Sequence, residues 1–313
     1  MAPARATVEV RSCMSDFVDA LLDPAPCAIC GAAEARPLYR LPAGALVRCA
    51  GCGTVRRANI VHGEAAERLY DDDAYLEAPY FDVLKVGASR DQQPYPVYAR
   101  VLSRLATIPG IQAGGRLLDV GCSYGAFLEM AAEEGWEPLG VELSSKGCEY
   151  ARRHRGLDVF HGTLEAAHLS TGSVQAVTLW DVVEHLARPL ETLREAHRVL
   201  SPGGTLMLFT INQRSLINRV GDLLYRASAG RWMKPIILLY DIHHNYFFDP
   251  RTIGALLERA GFELVEIDWM DADIDRWQNV PIPPLLALGS RVLDRAARMI
   301  GRPYRMIVFA SKR

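Results

Sequence analysis

Between Arg116 and Thr210 short, largely apolar runs alternate with amphipathic stretches, and this rhythm constrains the fold more than any other feature. Strands are predicted at Arg116–Gly121, Pro138–Leu143, Asp158–His161, Val174–Trp180 and Thr205–Thr210. Between them, helices are predicted from Gly125 to Glu134, from Ser145 to about His154, and from Pro189 with Leu190, Leu193, His197 and Leu200 on one face. Asp249-Pro250 is an N-cap followed by proline, and its helix carries Ile253, Leu256, Leu257 and Ala260 before stopping at Gly261. Phe262–Trp269 and Arg305–Ser311 complete seven strands. Repeated strand–helix units with continuous apolar strands predict an α/β, mostly parallel seven-stranded sheet with helices on both faces.

Four of the seven cysteines form two pairs, Cys27 with Cys30 and Cys49 with Cys52, in a C-x2-C-x18-C-x2-C pattern. Zn²⁺ takes four thiolates in a tetrahedron, and a glycine after each pair (Gly31, Gly53) lets the backbone turn so that its amides face sulfur. About thirty residues bury too little to fold alone, so the pattern predicts a small zinc ribbon with structural zinc, the other readings being coincidence or redox activity. The expected organisation is residues 1–57 as an N-terminal segment with the ribbon, 58–110 as a helical linker or cap, and 111–313 as the main domain. Two stretches, at about 211–248 and 271–303, break the strand–helix rhythm and are expected to be helical insertions. The first carries Leu216, Ile217, Val220, Leu223 and Leu224 at helical spacing; the second carries Leu285, Leu288, Val292, Ala296 and Met299, with Arg291, Arg295 and Arg298 elsewhere. Tyr70, Tyr75, Tyr80, Tyr95 and Tyr98 concentrate in the linker, mostly for packing, with one or two left for a ligand pocket.

Half the residues are apolar, 23% are charged and the net charge is −2, so the chain is neither largely disordered nor globally attracted to nucleic acid or anionic lipid. No run approaches the roughly 20 apolar residues of a membrane span. The N-terminal MAPARATVEVRSC lacks the apolar centre of a signal peptide, and a cytoplasmic location is expected.

The chemistry is expected where the first strand ends, in Asp119-Val-Gly121-Cys-Ser-Tyr-Gly125. Ligands of open parallel sheets bind beyond the carboxyl ends of the strands. Here a carboxylate precedes a glycine turn whose amides open onto a helix start. That combination suits a ligand carrying both an ammonium and a carboxylate, such as the methionine part of S-adenosylmethionine. Glu142, ending the second strand, is placed to accept two ribose hydroxyls.

LLDVGCSYGAF (Leu117–Phe127), LGVELS (Leu139–Ser144), WDVVEHLARP (Trp180–Pro189), RVLSPGGTLML (Arg198–Leu208) and HNYFFDPRTIGALLERAGF (His244–Phe262) resemble the class I S-adenosylmethionine-dependent methyltransferases. These segments lie in order across Leu117–Phe262, about half the chain, and the cysteine pattern adds a resemblance to bacterial methyltransferases with an N-terminal cysteine module. The resemblance implies a Rossmann-like sheet, with Asp119, Gly121, Cys122 and Gly125 around the methionine part. It also implies Glu142 and Leu143 at the ribose and one adenine face, Thr163 and Leu164 at the other, and Trp180 and Asp181 on the sulfonium side. The family's middle glycine is Ser123 here, and the acid often found after the third strand is replaced by Thr163-Leu164-Glu165. Cys122 is read as loop packing and not as a nucleophile.

A sulfonium methyl is already activated, so the protein must align an acceptor, exclude water and remove a proton if the acceptor is a hydroxyl. His244, His185 and His243 are the candidates. The expected reaction is O-methylation of a small or medium biosynthetic intermediate, with a partly apolar or lipid-linked acceptor suggested because the insertions are cationic and amphipathic and the central motifs also resemble ubiquinone-pathway O-methyltransferases. Peripheral membrane contact remains open and no nucleic acid is expected. Two alternatives stand beside this reading: C-methylation of a nucleotide-linked sugar, and a zinc-ribbon binding module on a non-catalytic methyltransferase scaffold.

Overall fold

The cysteine pairs sit at the turns around a small antiparallel sheet of β1 (Ala35–Leu41), β2 (Gly44–Cys49) and β3 (Val55–Arg57). In this computed structural model residues 26–41, 44–72, 84–85, 89–91, 94–108, 111, 114–241, 243–270 and 284–313 are described. Tyr75, Tyr80 and the first part of the expected 271–303 insertion lie outside them. Among the described residues two helices follow the small sheet, α1 (Glu64–Asp71) and α2 (Tyr95–Ala106).

The main sheet comprises β4 (Arg116–Val120), β5 (Glu137–Glu142), β6 (Val159–His161), β7 (Val174–Trp180), β8 (Leu200–Ile211), β10 (Phe262–Met270) and β11 (Arg305–Lys312), in the order β10-β11-β8-β7-β4-β5-β6. The five strands from β8 to β6 run parallel, and β11 inserts antiparallel between β8 and β10. Helices α3 (Ala126–Glu133), α4 (Ser145–Arg155), α5 (Pro189–Val199) and α8 (Pro250–Ala260) connect these strands. Side chains alternate across a strand, so neighbouring residues feed opposite cores. Leu118, Val177, Leu206 and Val308 meet Leu193 and Ala196 of α5 and Ile253, Leu256 and Leu257 of α8. Leu117, Ala176, Met207 and Ile307 meet Val101, Leu102 and Leu105 of α2 and Phe127, Leu128 and Ala131 of α3. Each fully buried leucine among them contributes roughly 1.5–3 kcal/mol relative to exposure. All seven predicted strands are present. β8 differs in starting at Leu200, and the Ser-Pro-Gly-Gly stretch, read from sequence as a turn before the strand, is absorbed where the register with β7 jumps between Val174 and Ala176.

The 211–248 insertion forms α6 (Leu216–Ala227), α7 (Lys234–Leu239) and the two-residue strand β9 (Tyr246–Phe247). β9 pairs with β3, Val55 facing Phe247 and Arg56 facing Tyr246, so the insertion supplies the fourth strand of the cysteine sheet. Cys27, Ile29 and Cys49 share one core with Phe248, Ile253 and the main sheet. The cysteine segment is therefore docked through both backbone pairing and apolar packing. The last helix, α9 (Pro284–Met299), packs on α6 and leaves Leu288, Val292 and Met299 exposed.

Candidate active site

β4 and β5 pair in parallel register, Asp119 beside Gly140, so their carboxyl ends open on the same edge. The chain turns after β4 through left-handed backbone at Gly121 (φ 75°), Ser123 (φ 50°) and Gly125 (φ 77°). A Cβ on Gly121 would lie 2.4 Å from Val182, and one on Gly125 would lie 2.5 Å from Leu157, so bare backbone is required by packing as well as by conformation. Ser123 takes the same backbone region at a cost glycine avoids, and its N–H donates to Glu142 Oε2 (2.6 Å). Ser144 N donates to Glu142 Oε1 (2.8 Å), so Glu142 ties the glycine turn to the end of its own strand.

Asp119 is 1% exposed and accepts from Thr178 Oγ1 at 2.6 Å. Burial pushes its carboxyl up to about 8; the Thr178 hydroxyl opposes the shift and the Glu142 charge adds to it. Glu142 is raised as well, by burial, against the backbone amides that hold it. Two acids disfavoured as anions at one buried edge form a place where a cation would be stabilised.

The other sequence-derived positions are spread around this edge. Cys122 is buried, its Sγ packs over Gly140, and burial lifts its thiol well above the usual range, in keeping with a packing role. Leu143 is half-buried, Thr163 is exposed with its Oγ1 accepting from Ala166 N, and Leu164 is in the core. Trp180 stands among Tyr98, Phe127 and Phe209, with ring centroids 4.6, 5.0 and 5.5 Å away, and its buried Nε1–H has no hydrogen-bond partner. Asp181 is held at φ 51° and pairs with Arg305.

Beyond β7 a second group assembles. Nitrogens of His185 and His244 and a carboxylate oxygen of Glu184 lie within 4.8 Å of one another, and this trio could hold a metal ion. Glu184 is fully buried; neither of its carboxylate oxygens has a hydrogen-bond partner, nor does His244 Nδ1. His185 Nδ1 lies 3.1 Å from the His243 carbonyl. A carbonyl only accepts, so Nδ1 carries the proton and Nε2 keeps its lone pair. Burial, then the neighbouring His244, presses His185 down to about 3, and burial lowers His244 too, so both rings are neutral. Burial lifts Glu184 to about 8; the Asp181 charge adds to the shift, and Arg305 opposes it. His243 is set apart from this group: its Nδ1 lies 2.7 Å from the half-exposed Asp241 carboxylate, which outweighs burial and raises the imidazole.

Three residues escaped the sequence reading. Asn245, 1% exposed, accepts from Val61 N (3.1 Å) and donates to the carbonyls of Val61 (3.1 Å) and His185 (2.7 Å), clamping the linker, the β7–α5 loop and β9 together. Asp71 accepts from Ser144 Oγ, Ser145 N and Ser145 Oγ, each at 2.8 Å, fastening α1 to the loop that follows Glu142. Glu184 was read only as the neighbour of His185, since its orphaned burial has no local signature. Tyr70, one of the tyrosines expected to be shared between packing and pocket, lies 6.0 Å from the His185 ring; burial raises its hydroxyl, as do the charges of Glu142, Asp241 and Glu184.

The four cysteine sulfurs also lie within 4.8 Å of one another, with Cys27–Cys52 at 3.6 Å and Cys30–Cys49 at 3.4 Å. A zinc–thiolate tetrahedron has sulfur–sulfur edges of about 3.8 Å, so the donor set fits that ion. The knuckles are gripped from α8, where Arg251 Nη2 donates to the Cys52 carbonyl (2.6 Å) and Arg259 donates to that of Ile29.

Seven strands in this order, with a glycine turn and a buried acid at two adjoining strand ends, are the frame of an S-adenosylmethionine-dependent methyltransferase. The family model for the methyltransferase domain matches residues 90–267, more than half of the chain, and the chain belongs to that family. The ubiquinone biosynthesis O-methyltransferase of Azoarcus sp. (strain BH72) is 31% identical over 166 residues, covering 50% of this chain and 68% of that protein. Its counterpart in Xanthomonas axonopodis pv. citri (strain 306) is 30% identical over 174 residues, covering 53% and 70%. Among solved structures, the [4+2]-cyclase SpnF superposes with a TM-score of 0.55 at 17% identity, over 81% of this chain and 97% of that one. That likeness concerns the fold alone. The cysteine segment lies outside the residues matched by the family model.

Proposed function

We propose that this enzyme transfers the methyl group of S-adenosylmethionine to an oxygen atom of a small or medium-sized biosynthetic intermediate. The observation that carries the reading is the pair of buried acids, Asp119 and Glu142, flanking the Gly121–Gly125 turn at one sheet edge. Asp119 and the amides of the turn hold the methionine part, Glu142 and Leu143 the ribose, Thr163 and Leu164 border adenine, and Trp180 and Asp181 face the sulfonium. When bound, the donor supplies an activated methyl group. Oxygen as acceptor is supported by the similarity to ubiquinone biosynthesis O-methyltransferases and by two neutral, half-buried histidines beside Glu184. In the step, the acceptor oxygen's electron pair forms the O–C bond, the S–C pair returns to sulfur, and the hydroxyl proton leaves to His244 or His185. The cysteine cluster holds a structural zinc whose strands position β9, and with it His244.

The exposed Leu223, Trp232, Ile237, Leu288, Val292 and Met299 lie on the two insertions and support a partly apolar or lipid-linked acceptor. Among the described residues no helix is long and apolar enough to cross a membrane. The test is calorimetric titration of zinc-loaded protein with S-adenosylhomocysteine, together with methyl transfer from labelled donor to a panel of hydroxylated aromatic acceptors. Micromolar product binding and a labelled ether are expected. Failure to bind the product at millimolar concentration refutes the pocket, and label recovered on carbon or nitrogen refutes the O-methyl assignment.

A further inference from the structure

A second cavity, of about 310 Å³, lies where the cysteine sheet meets the first insertion, and its lining is unusual in charge. Arg48 comes from β2, Gln213 and Arg214 from the segment between β8 and α6, and Asn218, Arg219, Asp222 and Arg226 from one flank of α6 down to its last turn, with Tyr39 and Tyr240 forming walls. Four arginines face one acid. That acid, Asp222, is already engaged by Arg226 (3.0 Å) and by the Tyr39 hydroxyl (2.5 Å). Arg214 pairs with Asp249 at 3.2 Å, and Arg48 donates to the Gly53 carbonyl at 3.2 Å. Arg219 has no ion-pair partner among the described residues. The charges around it are those of Arg302 and Arg214, which, after burial, weaken its hold on its proton.

Gathering like charges at a seam costs Coulomb energy unless an anion offsets it. A further feature points the same way: Asn218, 2% exposed, lines the cavity with an Nδ2 that has no hydrogen-bond acceptor. Planar guanidiniums and an amide donor together match a tetrahedral oxyanion with several acceptor oxygens.

We propose that this cavity binds a phosphate or diphosphate group of a soluble ligand, at a site separate from the methyl-donor pocket. The site is assembled from the cysteine segment and the insertion. Tyr240, one of its walls, meets Phe247 edge-on with ring centroids 4.9 Å apart, and Phe247 lies 5.6 Å from His244, so an anion held there rests two ring contacts from the acceptor end. The inference rests on the methyltransferase reading only for that last link; the anion site itself stands on the arginines.

The probe is inorganic pyrophosphate, titrated calorimetrically into the full-length, zinc-loaded protein, with S-adenosylhomocysteine titrated into the same sample. Pyrophosphate is expected to bind, more weakly as salt rises. Arg219→Ala should lower its affinity about ten-fold and Arg219→Glu should abolish it, while product affinity is unchanged. Arg219 is exposed and without an acidic partner, so neither substitution removes a folding contact. Arg48→Ala tests the contribution of the cysteine sheet and should weaken pyrophosphate several-fold. A parallel arm uses phosphatidylglycerol vesicles: binding to vesicles alone, lost in Arg219→Glu, overturns the soluble ligand in favour of a lipid headgroup. No pyrophosphate binding at millimolar concentration, or binding indifferent to both Arg219 variants, overturns the site, whereas loss of product binding by the wild type would instead overturn the donor pocket.

Discussion

The two ends of the proposed active site share one sheet edge but are built in opposite ways. The donor end is local. Asp119, the glycine turn and Glu142 belong to consecutive strands joined by one helix, and Glu142 secures the turn through Ser123 N and Ser144 N. The acceptor end is gathered from afar. Tyr70 comes from α1, Glu184 and His185 from the β7–α5 loop, and His244 from the far end of an insertion, with Asn245 clamping three of these segments. On the proposed reading, a donor common to many enzymes is served by a compact unit of the sheet, while the residues proposed to meet the acceptor ride on loops whose placement depends on distant contacts.

If the comparison is right, the largest effect comes from the cysteine cluster, because β3 pairs with β9 and β9 begins at Tyr246, with Asn245 alone between it and His244. A structural zinc contributes on the order of 10 kcal/mol to the fold of its site. Cys49→Ser should therefore lose the metal, measured as zinc per chain by elemental analysis, and abolish turnover. S-adenosylhomocysteine affinity should stay within about three-fold of wild type, since Asp119 and Glu142 touch none of the cysteine strands. Full metal content in this variant would refute the zinc assignment. A matching collapse of product affinity would show that the two ends are one cooperative unit.

Next in size is His244→Ala. Removing a positioned proton acceptor lowers turnover by about 10²-fold or more. Product affinity should move by less than about two-fold, because His244 lies among His185, Glu184 and Phe247 and away from the glycine turn. An unaffected rate would make His244 a packing residue and leave His185 as the group to test.

What could be read from sequence follows the same division. Periodicity located all seven strands, and the Asp119–Gly125 and Glu142 pattern marked residues that the structure brings to one sheet edge, because their spacing is imposed by one strand–turn–helix unit. The cysteine pairs likewise announced their own clustering. β9 was not legible: two residues, Tyr246 and Phe247, are too few to show alternation, and they pair with a strand nearly two hundred positions earlier. Nor could the partnerships of Asp71 and Asn245 be read, since a polar side chain carries no local mark of a distant partner. Of the three histidines singled out, the structure brings His185 and His244 together and gives His243 to Asp241. That distinction depends on how residues 243–246 pack against Glu184, whose carbonyl accepts from Asn245 N and Tyr246 N.

The donor end can be sharpened by Glu142→Ala. The carboxylate accepts two backbone amides, and charged hydrogen bonds of this kind are worth roughly 1.5–3 kcal/mol each. Loss of both the ribose contacts and the tie to Ser123 should weaken S-adenosylhomocysteine by about 10- to 100-fold, read by calorimetry. His185 and His244 should be undisturbed, so turnover at saturating donor should fall far less than in His244→Ala. The reverse pattern, unchanged affinity with lost turnover, would move Glu142 from the donor end to the acceptor end.

The smallest effect is a proton. Burial raises Asp119 to about 8, so near pH 7 the folded state keeps a proton that the unfolded chain has already released. The sign follows from linkage: the folded state binds more protons, so this group's contribution to stability falls as pH rises from the ordinary carboxylate range through about 8. The donor's ammonium favours the ionised form and displaces that proton on binding. Donor and product affinity should therefore rise by about ten-fold between pH 7 and the plateau above pH 8, close to one proton being released per molecule bound at pH 7. Calorimetry in two buffers of different ionisation enthalpy measures the release directly. Asp119→Asn should remove both the proton release and the pH dependence while leaving the acceptor end intact. Binding enthalpies that do not depend on buffer would mean that Asp119 is already ionised or never meets the ammonium. In either case the local, charge-based account of the donor end would give way to one in which the amides of the Gly121–Gly125 turn do the holding.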